Sequence, residues 1–130
     1  MIPVDQTKLY SKDGIHNGNC LAACLASLLE IPLWMVPPFE EMFGRGDHTP
    51  RMFDWLEKFF GLDLEWVEGH PVDNLPEYYI ASGLSPRGVL HAVIYSKGKL
   101  VHDPHFSRAG IAEVDSCKYL VKVSAPEGEK

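Results

Sequence analysis

The stretch Asn17-Gly-Asn-Cys20-Leu-Ala-Ala-Cys24-Leu-Ala-Ser-Leu-Leu-Glu30 decides how the chain is read. From Cys20 onward it is apolar nearly all round, and Pro32 stops it. A helix of that character belongs in the middle of a core, because no face of it suits water. The turn-rich residues ahead of it offer Asn17 or Asn19 as an N-cap, which places Cys20 in the first helical turn. A helix start carries unpaired N–H groups and the positive end of the dipole, and both favour an anion. Small residues before the cysteine leave a substrate room to approach the sulfur.

The rest of the chain supplies the body for that helix. It has 130 residues, near the commonest single-domain size, and residues 1–124 read as one domain with a polar tail at 125–130. Pro32, Pro37, Pro38, Gly44 and Gly46 break the segment 31–49, so short helical turns are expected there. Thr49-Pro50 then reads as a helix start, with Met52, Phe53, Leu56, Phe59 and Phe60 on one face and Gly61 as terminator. After Leu62 the period becomes strand-like, over 62–67, 77–81, 89–95, 100–103 and 118–123. Ser-Lys-Gly-Lys at 96–99 marks a hairpin. Helices first and antiparallel strands afterwards predict an α+β fold, with the helices on a small sheet.

Composition removes several function classes. Lys and Arg total 12 against 18 Asp and Glu, a net charge of −6, with Arg only at 45, 51, 87 and 108. A nucleic-acid binder needs clustered cations to neutralise phosphates, so no nucleic-acid partner is expected. No run approaches the roughly 18 apolar residues of a membrane span, and no signal peptide is apparent. No membrane partner is expected, and the cytoplasm is the expected location. Three cysteines (Cys20, Cys24, Cys117) are an odd number and do not read as a disulfide framework.

A thiol at a helix start becomes a nucleophile when a base stands beside it. His91 lies in Leu-His-Ala-Val-Ile-Tyr, a strand otherwise built for burial, and the hairpin returns His102-Asp103-Pro104 beside it. Cys20, His91 and Asp103 thus make a nucleophile, a base and an orienting carboxylate. Register decides whether they meet. With a two-residue turn at Lys97-Gly98, residue 93 pairs with 102, and His102 shares the face of His91. With a three-residue loop or one bulge, 93 pairs with 103 and the carboxylate lands diagonally beside His91. Chemistry favours Asp103, since a second imidazole orients poorly.

These motifs, Gly-Asn-Cys20-Leu-Ala-Ala-Cys, Leu-His91-Ala-Val-Ile-Tyr and Leu-Val-His-Asp103-Pro, resemble the papain-like cysteine peptidases. Within that superfamily the likeness is to the small bacteriocin-leader (double-glycine) peptidase domains and phage and bacterial proteins similar to them. It spans residues 17–105. The resemblance implies a minimal papain-like fold, with Cys20 as nucleophile, His91 as general base and then acid, and Asp103 as orienting residue. It implies a peptide or protein substrate, and neither a metal nor an organic cofactor. The family places a glutamine six residues before its cysteine to complete the oxyanion hole; that position here is Gly14. Asn19, Asn17 and Gln6 are the candidate donors in its place. Amine-accepting acyltransferases and transglutaminases share the same three groups, and a papain-like binding module of weak activity is the non-enzymatic alternative.

Zinc is the chemical rival, through Cys20-x3-Cys24 and His102-x2-His105. Against it, the cysteine pair lies inside an apolar helix rather than on a knuckle turn. Cys24 reads as core, and Cys117 carries no motif. Trp34 and Pro37-Pro38-Phe39 read as one wall of a cleft or as packing under the loop.

Overall fold

The computed structural model describes residues 1–9 and 18–123; the 125–130 tail lies outside them. Two helices precede or flank five strands: α1 (Cys20–Leu29), α2 (Phe39–Phe60), β1 (Leu62–Glu68), β2 (Tyr79–Leu84), β3 (Leu90–Ser96), β4 (Lys99–His102) and β5 (Ser116–Lys122). Short 3-10 turns lie at Leu33–Met35 and Val72–Asn74. The strands form one antiparallel sheet in the order β1-β5-β2-β3-β4. This is the expected α+β arrangement, a small domain with an N-terminal helix on a five-stranded antiparallel sheet.

α1 is the core helix its composition demands. Ala23, Cys24, Leu25, Ala26 and Ser27 are all buried. They meet Ile80, Ala92 and Ile94 of the sheet together with Met52 and Leu56 of α2. Each fully buried Leu or Ile contributes about 1.5–3 kcal/mol. The one polar residue of that buried run is satisfied: Ser27 Oγ donates to the Ala23 carbonyl at 2.8 Å and accepts from the Val4 amide at 2.9 Å. The opposite sheet face is covered by connecting segments, where Tyr79, Ala81, Val93 and Cys117 are fully buried against Leu75, Ile111 and Val114.

The second helix departs from expectation. Thr49-Pro50 does not start it, since the helical run begins at Phe39 and carries Pro50 inside. Yet it is not one straight rod. The Phe39 and Trp55 rings stand 5.8 Å apart, whereas sixteen residues of straight helix would separate them by about 24 Å. The run therefore bends sharply in the stretch that holds Gly44, Gly46 and Pro50, where a proline removes one helical hydrogen bond. Met52 and Leu56 are buried, but Phe53 and Phe59 are 37% and 71% exposed and are not core. α2 lies over β1, an edge strand, so only a narrow stripe of the helix is covered.

An extended N-terminal segment, residues 1–8, straps the two halves together. The N-terminal ammonium meets Glu30 at 2.7 Å, Ile2 N donates to the Ser27 carbonyl, and Gln6 N donates to the Pro104 carbonyl at 3.0 Å. Arg108 grips Asp5 through both guanidinium nitrogens at 2.6 and 2.8 Å. The strap thus runs from the end of α1 across to the segment following β4.

Candidate functional site

The β3–β4 hairpin resolves the register. Lys97 and Gly98 both have positive φ, 53° and 81°, the two-residue turn whose twist matches the flanking strands. Ser96 pairs with Lys99 and Tyr95 with Leu100, but Ile94 then pairs with His102. Val101 is the extra residue of a bulge. That one residue carries Asp103 forward to a place beside His91, as a bulge in the hairpin would require. His91 Nε2 stands 2.6 Å from Asp103 Oδ1, with both side chains almost fully buried.

Asp103 is held as an anion. Its Oδ1 also accepts the His105 amide at 2.9 Å, and its Oδ2 accepts the Gly110 amide at 2.7 Å. Burial alone would raise its pKa, but the His91 hydrogen bond, the two amides and the His91 charge outweigh burial and lower it to about 2. A carboxylate only accepts, so the His91 proton sits on Nε2 and the Nδ1 side is left for another partner.

Cys20 faces the same cavity as that ring. It opens α1 and is half-buried. It lines the same cavity of about 150 Å3 as His91, together with Gln6, Arg87 and His105. Burial pulls the His91 imidazole down, yet hydrogen bonds to Asp103 and to Cys20, with their charges, raise its pKa to about 9.

The three oxyanion candidates fare differently. Asn17 lies outside the described residues, as does Gly14. Asn19 occupies the N-cap position but its side chain makes no cap, and it lines the neighbouring groove rather than the cavity of Cys20 and His91. Its Oδ1 accepts the Thr7 and Lys8 amides at 3.0 and 2.9 Å, while Nδ2 donates to Thr7 Oγ1 at 2.9 Å. Those bonds tie the strap to the mouth of α1, and Gln6 arrives at the cavity because of them. Gln6 Nε2 donates one hydrogen to the Lys8 carbonyl at 2.8 Å, and its Oε1 is buried without a partner. Its second amide hydrogen and the Cys20 backbone N–H, which has no intrahelical acceptor, are two donors on residues that line this cavity.

The remaining sequence candidates separate. Cys24 is fully buried, and burial first, then the Cys20 and Asp103 charges, push its thiol well above the ordinary range. Cys117 is buried on the other face, where its Sγ approaches the Gly69 carbonyl at 3.4 Å. His102 turns Nε2 to the Val4 carbonyl at 2.8 Å, away from His91. The zinc set is thereby dispersed: among the described residues no three His, Cys, Asp or Glu side chains gather as a metal site. Trp34 is 83% exposed on the rim of a groove of about 470 Å3 that Leu21, Ala22, Leu25 and Phe39 line beside Gly18 and Asn19.

Gly110 and Arg87 escaped sequence reasoning as site residues, and His105 entered it as a zinc candidate. His105 is buried, meets the His91 ring edge-on at 6.0 Å, and fixes Asp103 through its amide. Gly110 supplies the other amide. Arg87 reaches the cavity from the β2–β3 loop, and Pro86-Arg-Gly88 was the available signal, a proline and a glycine at turn spacing.

No protein-family model matches the chain, and neither the curated proteins nor the solved structures give a match. Among the described residues no helix is long and apolar enough to cross a membrane.

Proposed function

We propose that this chain is a thiol hydrolase of papain-like type that cleaves a peptide, isopeptide or other amide through an acyl-thioester on Cys20. The observation that carries the reading is His91, hydrogen-bonded to a buried Asp103 at 2.6 Å and lining one cavity with Cys20. The proton shared between Cys20 and His91 stays on the imidazole as the sulfur attacks the substrate carbonyl carbon. The carbonyl oxygen takes the electron pair, with the Cys20 N–H and the spare Gln6 amide hydrogen as its donors. His91 then protonates the leaving nitrogen as the C–N bond breaks. Water, deprotonated by the now neutral His91, opens the thioester and returns the thiol. Asp103 stabilises the imidazolium in both halves.

The test is chemical modification of the folded protein. Iodoacetamide at neutral pH should alkylate Cys20 faster than it alkylates a free thiol, and peptide mapping should find the label at that position. Substituting Cys20→Ala should remove the fast phase. A Cys20 that reacts no faster than a free thiol overturns the reading.

A further inference from the structure

Arg87 lines the cavity of Cys20 and His91, and among the described residues no carboxylate pairs with it. It sits on the loop joining β2 to β3, and that loop is fixed at both ends. Gly88 N donates to the Ser85 carbonyl at 2.9 Å, and Ser85 N and Oγ both reach the Val89 carbonyl, at 2.9 and 3.0 Å. Gly88 follows at φ 81°, a backbone region open to glycine and costly for most other residues. The loop is thus a rigid mount, and Arg87 is half-buried on it.

Its guanidinium donates through Nη1 to Ser107 Oγ at 3.0 Å. That hydroxyl also bonds His105 Nδ1 at 2.8 Å. Ser107 N donates to the same Nδ1 at 3.0 Å, so the neutral His105 ring carries its proton on Nε2. Among the described residues no carboxylate pairs with Arg87, whereas Arg108, on the segment beyond β4, is closed by Asp5. An arginine has five donors in a planar fork suited to a carboxylate, and this one uses a single neutral acceptor.

Among the described residues, the lining of the cavity that Arg87 shares with Cys20 and His91 includes no acidic side chain. At about 150 Å3 it has room for roughly five waters at their liquid volume, the size of one small amino-acid residue. Its described lining therefore presents a cation, and a pocket this small keeps that cation near the group held at Cys20.

We propose that Arg87 is the receptor for a substrate carboxylate, so that the amide cleaved at Cys20 has an anionic group within one residue of the scissile bond. The inference rests on the thiol-hydrolase reading of Cys20 and adds the substrate class to it. The carboxylate is either a free chain end or an Asp or Glu side chain, which present the same chemistry to the guanidinium.

Two alkylating reagents of nearly equal shape test this. Iodoacetate is an anion and iodoacetamide is neutral; each transfers its carbon to sulfur with loss of iodide. Rates at Cys20 are measured at low ionic strength, and each is divided by the rate for N-acetylcysteine in the same buffer. The normalised preference for iodoacetate should be about tenfold, the order of one charge-assisted hydrogen bond. Arg87→Gln should bring that preference down to the free-thiol value, and Arg87→Lys should keep part of it.

A wild-type ratio equal to that of the free thiol overturns the proposal, as does a preference that survives in Arg87→Gln. Slow reaction with both reagents removes the nucleophile reading and the proposal with it. Fast reaction with both but no charge preference removes the Arg87 proposal alone. Protection of Cys20 by N-acetylglycine rather than N-acetylglutamate α-amide assigns the group to a chain end, and the reverse assigns it to a side chain. Protection by N-acetylglycinamide equal to that by both anions counts against Arg87.

Discussion

Asp103 stands 2.6 Å from His91 because Val101 is an extra residue in β4. Without that bulge the side chain opposite Val93 would be His102, which in the folded chain faces Val4 instead. Asp103→Asn keeps the shape and removes the charge. The His91 pKa, now about 9, should fall toward the ordinary histidine range in an NMR titration. The His105 and Gly110 amides would lose an anionic acceptor, for an expected loss of about 1–3 kcal/mol in urea unfolding. An unchanged His91 titration would show that Asp103 does not govern the ring.

The same pair sets the pH dependence of stability. Asp103 is lowered from 3.8 to about 2, so its contribution is complete above 3.8 and disappears as pH falls through 2. His91 is raised from 6.5 to about 9, so its contribution is complete below 6.5 and disappears as pH rises through 9. The urea midpoint should be highest between these limits and decline on the alkaline side well before lysines titrate. In Asp103→Asn the decline between pH 6.5 and 9 should flatten. A wild-type midpoint constant from pH 6 to 9.5 would contradict the linkage.

Much of this was legible in the sequence, and the reason is local. A decapeptide from Cys20 to Leu29 whose one polar residue is Ser27 reads as a buried helix, and Lys97-Gly98 between two apolar runs reads as a hairpin. What was not legible depends on contacts far apart in the chain. The bulge at Val101 leaves no local mark. Asn19 has the residue type of a cap, but Thr7 and Lys8, eleven or twelve positions away, take its side chain. Phe59 fits the apolar face of α2 by spacing, yet the edge strand beneath leaves it exposed. Gln6 reaches the cavity only through the strap, whose anchors Asp5 and Arg108 are 103 residues apart.

The strap itself is testable through Asn19. Its side chain satisfies two amides that stand in water-accessible surroundings, so water replaces part of the loss in Asn19→Ala. The expected cost is about 0.5–1.5 kcal/mol. Hydrogen exchange at the Thr7 and Lys8 amides should accelerate while amides in the middle of α1 stay protected. Because Gln6 is delivered by this segment, Cys20 alkylation should also change in that variant. Unaltered exchange at Thr7 and Lys8 would mean that other bonds hold the strap.

Thiol accounting separates the three cysteines. Cys24 and Cys117 are fully buried and burial pushes both thiols up, whereas Cys20 is half-buried at a cavity. Titration of the native protein with a disulfide reagent such as DTNB at pH 7 should release one equivalent rapidly, and denaturant should expose two more. Cys20→Ala should abolish the rapid equivalent. Rapid release from Cys24 or Cys117 would show that the native core opens on the time scale of the assay.

Gly83 links the fold to the site through a close approach. It pairs with His91 across β2 and β3, and a Cβ built on it would overlap the Glu113 carbonyl oxygen. Backbone cannot yield as a flexible side chain can, so the segment between Gly110 and Asp115 must move in Gly83→Ala. That segment is bound to β2 by Ala112 N to the Leu84 carbonyl and Asp115 N to the Ser82 carbonyl, both at 2.8 Å. Overpacking of this kind costs about 1–3 kcal/mol. The displacement should also weaken the Gly110 amide bond to Asp103, raising the Asp103 pKa above about 2 and speeding exchange of the Gly110 amide. A Gly83→Ala protein of unchanged stability, with Gly110 still protected, would show that the segment adjusts without disturbing the carboxylate.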